Sequence, residues 1–244
     1  DNVRLFGGGT ALNPRPAKGA KDVDVETLLG WDAGLFAASH NLYFGASRAD
    51  VAGADANSNP SVLFVTPEGT SFDPNGLAFN TQYFWRVDAV NDVNPDSPWT
   101  GPVWSFTTAN FIVVDDFERY TNDSPNRVFQ TWVDGLGFSK DEFFPQDDPG
   151  NGTGAIIGYD PAAGDVMEKA VVHGGLQAMP MEYHNTDAPN TSEARRTWAE
   201  PQDWTVNGFD SLILHARGIA GNTADRLYVT LKDAAGAAAT VAYD

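Results

Sequence analysis

The sequence predicts an all-β protein made of two β-sandwich domains, and three observations carry that expectation. Short apolar or alternating runs recur with Asn, Asp, Gly and Pro between them: ETLLGW (26–31), HNLYFG (40–45), SVLFVT (61–66), TQYFWRVDAVN (81–91) and VWSFTT (103–108). Their lengths and their β-branched and aromatic content suit strands. No long helical period interrupts them. The pattern resumes after residue 110 in GAIIGYD (154–160), EKAVVHGG (168–175), AMPMEYHN (178–185), EARRTWAE (193–200), DSLILHARG (210–218) and RLYVTLKD (226–233). Two successive series of strands with no helix of usable length argue for two antiparallel sandwiches.

Within TQYFWRVDAV the two-residue alternation is explicit. Tyr83, Trp85, Val87 and Ala89 share one face, and Phe84, Arg86, Asp88 and Val90 share the other, the pattern of a strand covered mainly on one side. Trp31, Tyr83 and Trp85 are expected in or near the core. Thr107-Thr108-Ala109-Asn110 reads as a short hinge, which sets the domains at 1–109 and 110–244.

The first half resembles a bacterial type III fibronectin domain. The residues that carry the likeness run from Asn13-Pro14-Arg15-Pro16 through Leu29-Gly30-Trp31-Asp32, Leu42-Tyr43-Phe44-Gly45 and Gly76-Leu77. They continue in Tyr83-Phe84-Trp85-Arg86-Val87-Asp88 and close at Trp104-Ser105-Phe106-Thr107-Thr108. Such domains serve as spacers beside catalytic or sugar-binding modules of secreted polysaccharide-degrading proteins, so the resemblance implies no functional residues there.

The second half resembles a galactose-binding-like β-jelly roll of the carbohydrate-binding-module type. Val114-Asp115-Asp116-Phe117-Glu118, the Trp132 region and Val171-Val172-His173-Gly174-Gly175-Leu176-Gln177-Ala178-Met179 carry that likeness. So do Asp203-Trp204, Leu212-Ile213-Leu214 and Leu231-Lys232-Asp233-Ala234-Ala235-Gly236. The arrangement is similar to large exported proteins of planctomycete-like bacteria and implies an extracellular or cell-surface location. Compared with that pattern the last strands are missing at Asp244. The expectation is a fragment, or an open edge completed by another copy of the chain, with residues 2–10 as one candidate donor.

Composition narrows the partners. The 244 residues carry 33 acidic and 15 basic side chains, a formal net charge of −18, and no cysteine. That balance repels phosphate backbones and anionic headgroups, so nucleic acid is not an expected partner. No apolar run approaches the roughly 20 residues that cross a bilayer, so no membrane insertion is expected. The first ten residues lack the order of a signal peptide, and an export signal is expected to have been removed. Without thiols there is neither a disulfide framework nor a thiolate metal site. Neutral glycans and cations remain compatible.

The stretch FIVVDDFERY (111–120) poses the sharpest chemical question. Read as a strand, it puts Asp116 and Glu118 on one face and Asp115 on the other, and two carboxylates that close need a cation or an arginine between them. Calcium, which takes six to eight oxygens including backbone carbonyls, suits that gap. The resemblance implies Asp116, Glu118 and the Gly174 carbonyl as its ligands. The plainer alternative is a solvated strand end held by Arg119, Arg127 or backbone amides. DPGNGTG (148–154) reads as a glycine turn, since its spacing is not that of an EF-hand loop and it precedes a strand.

Sugar recognition needs flat apolar rings for pyranose C–H faces and planar polar groups for hydroxyls. The second half offers Trp132, Tyr159, Tyr183, Trp198 and Trp204. Alternation in MPMEYHN leaves Glu182 and His184 outward, and in EARRTW it sets Glu193 and Arg195 against Ala194, Arg196 and Trp198. Glu182, His184, Glu193 and Arg195, with Trp132, are the candidate carbohydrate-binding residues; core packing is the competing role for each aromatic. The four histidines show no HExxH spacing, and no Gly-x-Ser-x-Gly elbow occurs. A non-catalytic pair of modules that binds polysaccharide or glycan is the expected function, with a filament or surface-layer subunit as the alternative.

Overall fold

The computed structural model describes residues 9–56, 60–162 and 164–243, so residues 2–8 of the candidate donor segment lie outside the described residues. Among the described residues the protein is all-β apart from two short α-helices and one 3-10 turn at Val206–Gly208. It divides into two compact units, Asp1–Ile112 and Val113–Asp244.

In the first unit the strands are β1 (Leu12–Arg15), β2 (Ala20–Val23), β3 (Leu29–Asp32) and β4 (Ser39–Gly45). Helix α1 (Arg48–Gly53) follows, and then β5 (Leu63–Val65), β6 (Ser71–Phe72), β7 (Gln82–Val90) and β8 (Trp104–Thr108). They form a three-stranded sheet in the order β1-β3-β6 and a five-stranded sheet in the order β2-β8-β7-β4-β5. The two sheets share one core. Leu29 and Trp31 from the first meet Leu42, Phe44, Trp85, Val87, Trp104 and Phe106 from the second. The rings of Trp31 and Trp85 lie 6.2 Å apart across it. Each such side chain removed from water contributes about 1.5–3 kcal/mol, so these aromatics and aliphatics dominate the cohesion of the unit.

Strand β7 departs from its expected one-sided cover, because five consecutive residues from Trp85 to Ala89 are buried. The second face is covered by α1 and by a smaller cluster of Tyr43, Val51, Ala54 and Val62, against which Phe64, Phe84 and Val103 pack. Burial forces the polar residues of that face to find partners. The Arg86 Nε and Nη2 donate to Asp88 at 2.9 and 3.0 Å. Its Nη1 donates to the carbonyls of Val51 and Ala52 and its Nη2 to that of Ala54, at 2.9, 2.7 and 2.7 Å. One guanidinium thus ties the last turn of α1, whose carbonyls lack helical partners, to the sheet. The Arg86 guanidinium carbon also lies 4.4 Å from the Tyr43 ring centroid.

The expected hinge at 107–110 is part of the first unit instead. Thr108 is buried; its hydroxyl accepts from the Thr81 amide at 2.9 Å and donates to the Ala78 carbonyl at 2.6 Å. The Ala109 amide donates to Val23 at 2.8 Å. These bonds carry the strand on, and the division falls three residues later than the sequence suggests.

The second unit holds α2 (Val128–Thr131), β9 (Trp132–Val133), β10 (Ala155–Ile157) and β11 (Met181–Tyr183). After them come β12 (Arg195–Arg196), β13 (Leu227–Lys232) and β14 (Ala238–Tyr243). They pair antiparallel as β9 with β12, β10 with β11, and β13 with β14. Val128, Ile157, Val166 and Met167 form the buried cluster, with Phe117, Tyr120, Trp132, Met179 and Ala194 packed against it. The buried Asp134 carboxylate accepts from the amides of Leu136, Gly137 and Ile157 at 2.9, 2.8 and 2.8 Å, fixing the chain on both sides of the glycine turn. That turn, as expected, leads into a strand; Gly150 within it sits at φ 73°, where a Cβ would meet the Asp134 and Gly135 carbonyl oxygens at 2.7 Å.

Three expected strands do not form. Residues 111–120 have no ladder, because Asp115 and Asp116 each take a backbone amide two residues on, at Phe117 (2.8 Å) and Glu118 (3.0 Å). These local bonds compete with strand pairing. Residues 168–175 reduce to a single bridge between Glu168 and Ala178, since the Glu168 side chain takes the amides of Ala170 and Val171. Residues 210–218 run without a ladder, with Leu212, Ile213 and Leu214 exposed. Met181, which alternation sets on the face opposite the outward Glu182 and His184, is itself 40% exposed.

Candidate functional site

The acids of the opening segment of the second unit find their partners within the chain. Asp115 Oδ2 is paired with Arg196 Nη1 and also accepts from the Tyr120 hydroxyl at 2.6 Å and from Trp132 Nε1 at 2.8 Å. Arg196 Nη1 reaches the Val114 carbonyl as well, at 3.1 Å. Burial, followed by the hydrogen bond to Asp115, pushes the Tyr120 phenol upward from its ordinary value. The arginine that neutralises Asp115 is Arg196, distant in sequence, rather than Arg119 or Arg127. Arg127 is used elsewhere, its Nε on the Asn122 carbonyl at 2.8 Å.

Glu118 is answered by backbone. Its Oε1 accepts from the amides of Leu176 and Gln177 at 2.9 and 3.3 Å, and its Oε2 from Leu176 at 3.1 Å. Gln177 Nε2 returns to the Phe117 and Tyr120 carbonyls at 2.7 and 3.0 Å. The loop at 174–177 is therefore clamped onto the 117–120 turn. Gly175, at φ 72°, lies so close that a Cβ would sit 2.1 Å from Glu118 Oε1. Gly175→Ala is expected to cost about 1–2 kcal/mol, mostly from the left-handed backbone, because the carboxylate end can shift aside. A chemical melt should read that loss, and unchanged stability would mean that residue 175 does not hold the left-handed conformation.

Two of the implied calcium ligands, Asp116 and Glu118, have partners within the chain. Asp116 Oδ1 serves the Glu118 amide, and Glu118 serves the loop amides. Among the described residues no group of three or more His, Asp or Glu gathers as metal ligands. These contacts use part of the acceptor capacity of Asp116 and Glu118.

The carbohydrate candidates fall into two pairs. Glu182 and His184 approach to 4.0 Å with side chains 66% and 68% exposed. Arg195 and Glu193 approach to 3.9 Å, with Arg195 62% exposed. Both pairs border one segment, 153–157. Glu182 pairs with Ile156 in the β10–β11 ladder, and the Glu193 amide donates to the Thr153 hydroxyl at 3.0 Å. Ser192 connects them, its hydroxyl accepting from the His184 amide at 3.1 Å and donating to Asn185 at 2.7 Å. Glu193 also receives the Tyr228 hydroxyl of β13; burial and then that bond raise the Tyr228 phenol to about 12.

Trp132 pairs with Arg196 in the β9–β12 ladder, next to Arg195, with its side chain toward the core. It packs against the core cluster, lies 5.9 Å from the Phe117 ring and commits its indole N–H to Asp115, which is the core-packing role weighed against binding. Two groupings escaped the sequence. Trp198 and Trp204 stand perpendicular at 5.2 Å, with the Arg196 guanidinium 4.7 Å from the Trp198 ring. Tyr159 donates to Glu168 Oε2 at 2.8 Å. Both depend on contacts between turns that no local period announces. His173 and His215 stack at 3.6 Å instead of forming a chelating set.

Comparison with known proteins finds no matching family model, curated protein or solved structure. The fold and site together define a class, an all-β chain of two compact units with exposed polar pairs on the second.

Proposed function

We propose that the chain is an extracellular, non-catalytic pair of modules, with the first unit a fibronectin-like spacer and the second a jelly-roll-type binder of polysaccharide or glycan. The observation that carries this reading is the pair of exposed, planar polar couples, Glu182 with His184 and Arg195 with Glu193, bordering the same segment 153–157. Such groups offer donors and acceptors to sugar hydroxyls. The three-plus-five strand arrangement of the first unit supports the spacer role.

Affinity electrophoresis through gels containing hydroxyethyl cellulose, galactan, mannan or xylan, each run in calcium chloride and in EDTA, tests the proposal. Retardation by at least one polysaccharide is expected, and a Glu182→Ala, Arg195→Ala double variant should lose it. Free migration in every gel with calcium present would overturn the reading. Calcium remains a separate proposal, supported only by dependence of retardation or melting on the ion that disappears in Glu118→Gln.

One observation favours assembly between copies as a second reading. Ile213 is 77% exposed, beside Leu212 and Leu214, in a segment with no ladder. A filament or surface-layer subunit would use that segment to accept a neighbour's strand. Light scattering on the eluting protein decides, since a concentration-independent monomer ends this reading.

A further inference from the structure

We propose that the cleft between Tyr159 and Lys169 is a subsite for one uncharged pyranose unit of a glycan, a placement that rests on the carbohydrate-binding reading of the second unit. The cleft is a shallow depression open to solvent, with a volume of about 570 Å³. Tyr159, a residue 43% exposed, lines it and is hydrogen-bonded at both ends. Its amide donates to the Val166 carbonyl at 3.0 Å, and its hydroxyl donates to Glu168. Glu168 is fixed in turn by the amides of Ala170 and Val171 and by its own paired bridge to Ala178. A ring held at base and tip presents its face without loss of further rotamer freedom, which is what stacking on a pyranose C–H face requires.

The polar rim is arranged the same way. Lys169 Nζ lies 2.9 Å from Asp165, and Asp165 accepts from Asn122 at 3.0 Å. Hydrogen bonds from Ala170, Tyr159 and Val171 hold the Glu168 carboxyl below its usual range, and Lys169 does so for Asp165. Each carboxylate keeps further acceptor capacity for sugar hydroxyls, and the ammonium supplies donors. Buried Met167 and the exposed Ala170 contribute apolar lining.

Charge selects the ligand class. Asp160, Asp165 and Glu168 line the cleft with Lys169, which pairs with Asp165. Three carboxylates against one ammonium repel uronates and sulfated sugars, while neutral hydroxyls meet no such penalty. Glu182 pairs with Ile156 and the Gly158 amide donates to the Pro180 carbonyl at 3.0 Å, so the cleft and the Glu182–His184 couple lie along one segment, 153–159.

The test uses the whole chain and the same neutral gels, with a polygalacturonate gel added. Tyr159→Ala removes the ring, Tyr159→Phe keeps the ring without its hydrogen bond, and Ala170→Trp fills the cleft from an exposed position without touching that bond. The expected result is retardation of the parent by a neutral gel, an affinity loss of about tenfold or more in Tyr159→Ala and Ala170→Trp, and a smaller loss of about two- to fivefold in Tyr159→Phe, which keeps the stacking face and loses its anchor at the tip. Melting curves accompany each variant, and Ala170→Trp decides if Tyr159→Ala does not fold. Undiminished retardation of Ala170→Trp overturns the subsite while leaving glycan binding intact. Stronger retardation by polygalacturonate than by any neutral gel overturns the ligand class. Free migration of the parent everywhere removes both this subsite and the function it rests on.

Discussion

Arg86→Met is expected to destabilise the first unit by about 3–5 kcal/mol, the range for removing one partner of a buried ion pair. The side chains of Arg86 and Asp88 are only 4% and 8% exposed. All five guanidinium N–H directions are used, two on Asp88 and three on the carbonyls of Val51, Ala52 and Ala54. Methionine fills much the same volume, so cavity formation is small and the loss is electrostatic. It leaves Asp88 with the Gly101 amide at 2.9 Å as its remaining hydrogen bond, and strands three carbonyls of α1. Arg86→Lys is expected to recover little, because three donors on a compact ammonium cannot reproduce the planar fork. Urea denaturation of each variant reads the effect as a lower midpoint at unchanged slope. A midpoint within error of the parent would show that the pair contributes nothing beyond its own desolvation cost.

That same residue marks where sequence reasoning stops. The alternation in TQYFWRVDAV assigns Trp85 and Val87 to the shared core correctly, since a period of two is a local property of the strand. It also places Arg86 and Asp88 together on the other face. Nothing local states that a six-residue helix will cover that face, so the polar pair reads as solvent-facing. Burial of both faces is a tertiary fact.

The second unit was less legible for a physical reason that recurs along it. Its ladders are two or three residues long except for β13–β14, and acidic side chains repeatedly take the amides a longer strand would use. Asp115 and Asp116 do so in the opening segment, Glu168 does so after the 168–178 bridge, and Glu118 takes the amides at 176–177. Apolar runs such as KAVV satisfy the composition of a strand without owning the free backbone groups that a strand needs. The polar couples at Glu182–His184 and Glu193–Arg195 were legible because they are neighbours two apart on short strands or their ends. Tyr159 with Glu168 was not, because their meeting depends on the turn between them.

A double-mutant cycle on Asp115 and Arg196 carries the second large expectation. Arg196→Met should cost about 2–3 kcal/mol, below the range for a fully buried pair because the arginine side chain keeps 21% of its exposure. It leaves a carboxylate only 9% exposed with neutral donors alone, the Tyr120 hydroxyl, the Trp132 indole and the Phe117 amide. Asp115→Asn removes the charge and turns an amide N–H toward some of those donors, so a comparable loss is expected. If the two groups act as a pair, the double variant should cost less than the sum, with a coupling of about 1–2 kcal/mol. Trp132→Phe and Tyr120→Phe, each losing one donor to the same oxygen, should cost about 1 kcal/mol apiece. Additive single losses would mean that Arg196 acts through its stacking on Trp198 at 4.7 Å, and that Asp115 is held by its neutral donors. A cycle in which the double variant costs less than the sum would establish that the arginine of β12 balances the first carboxylate of this segment.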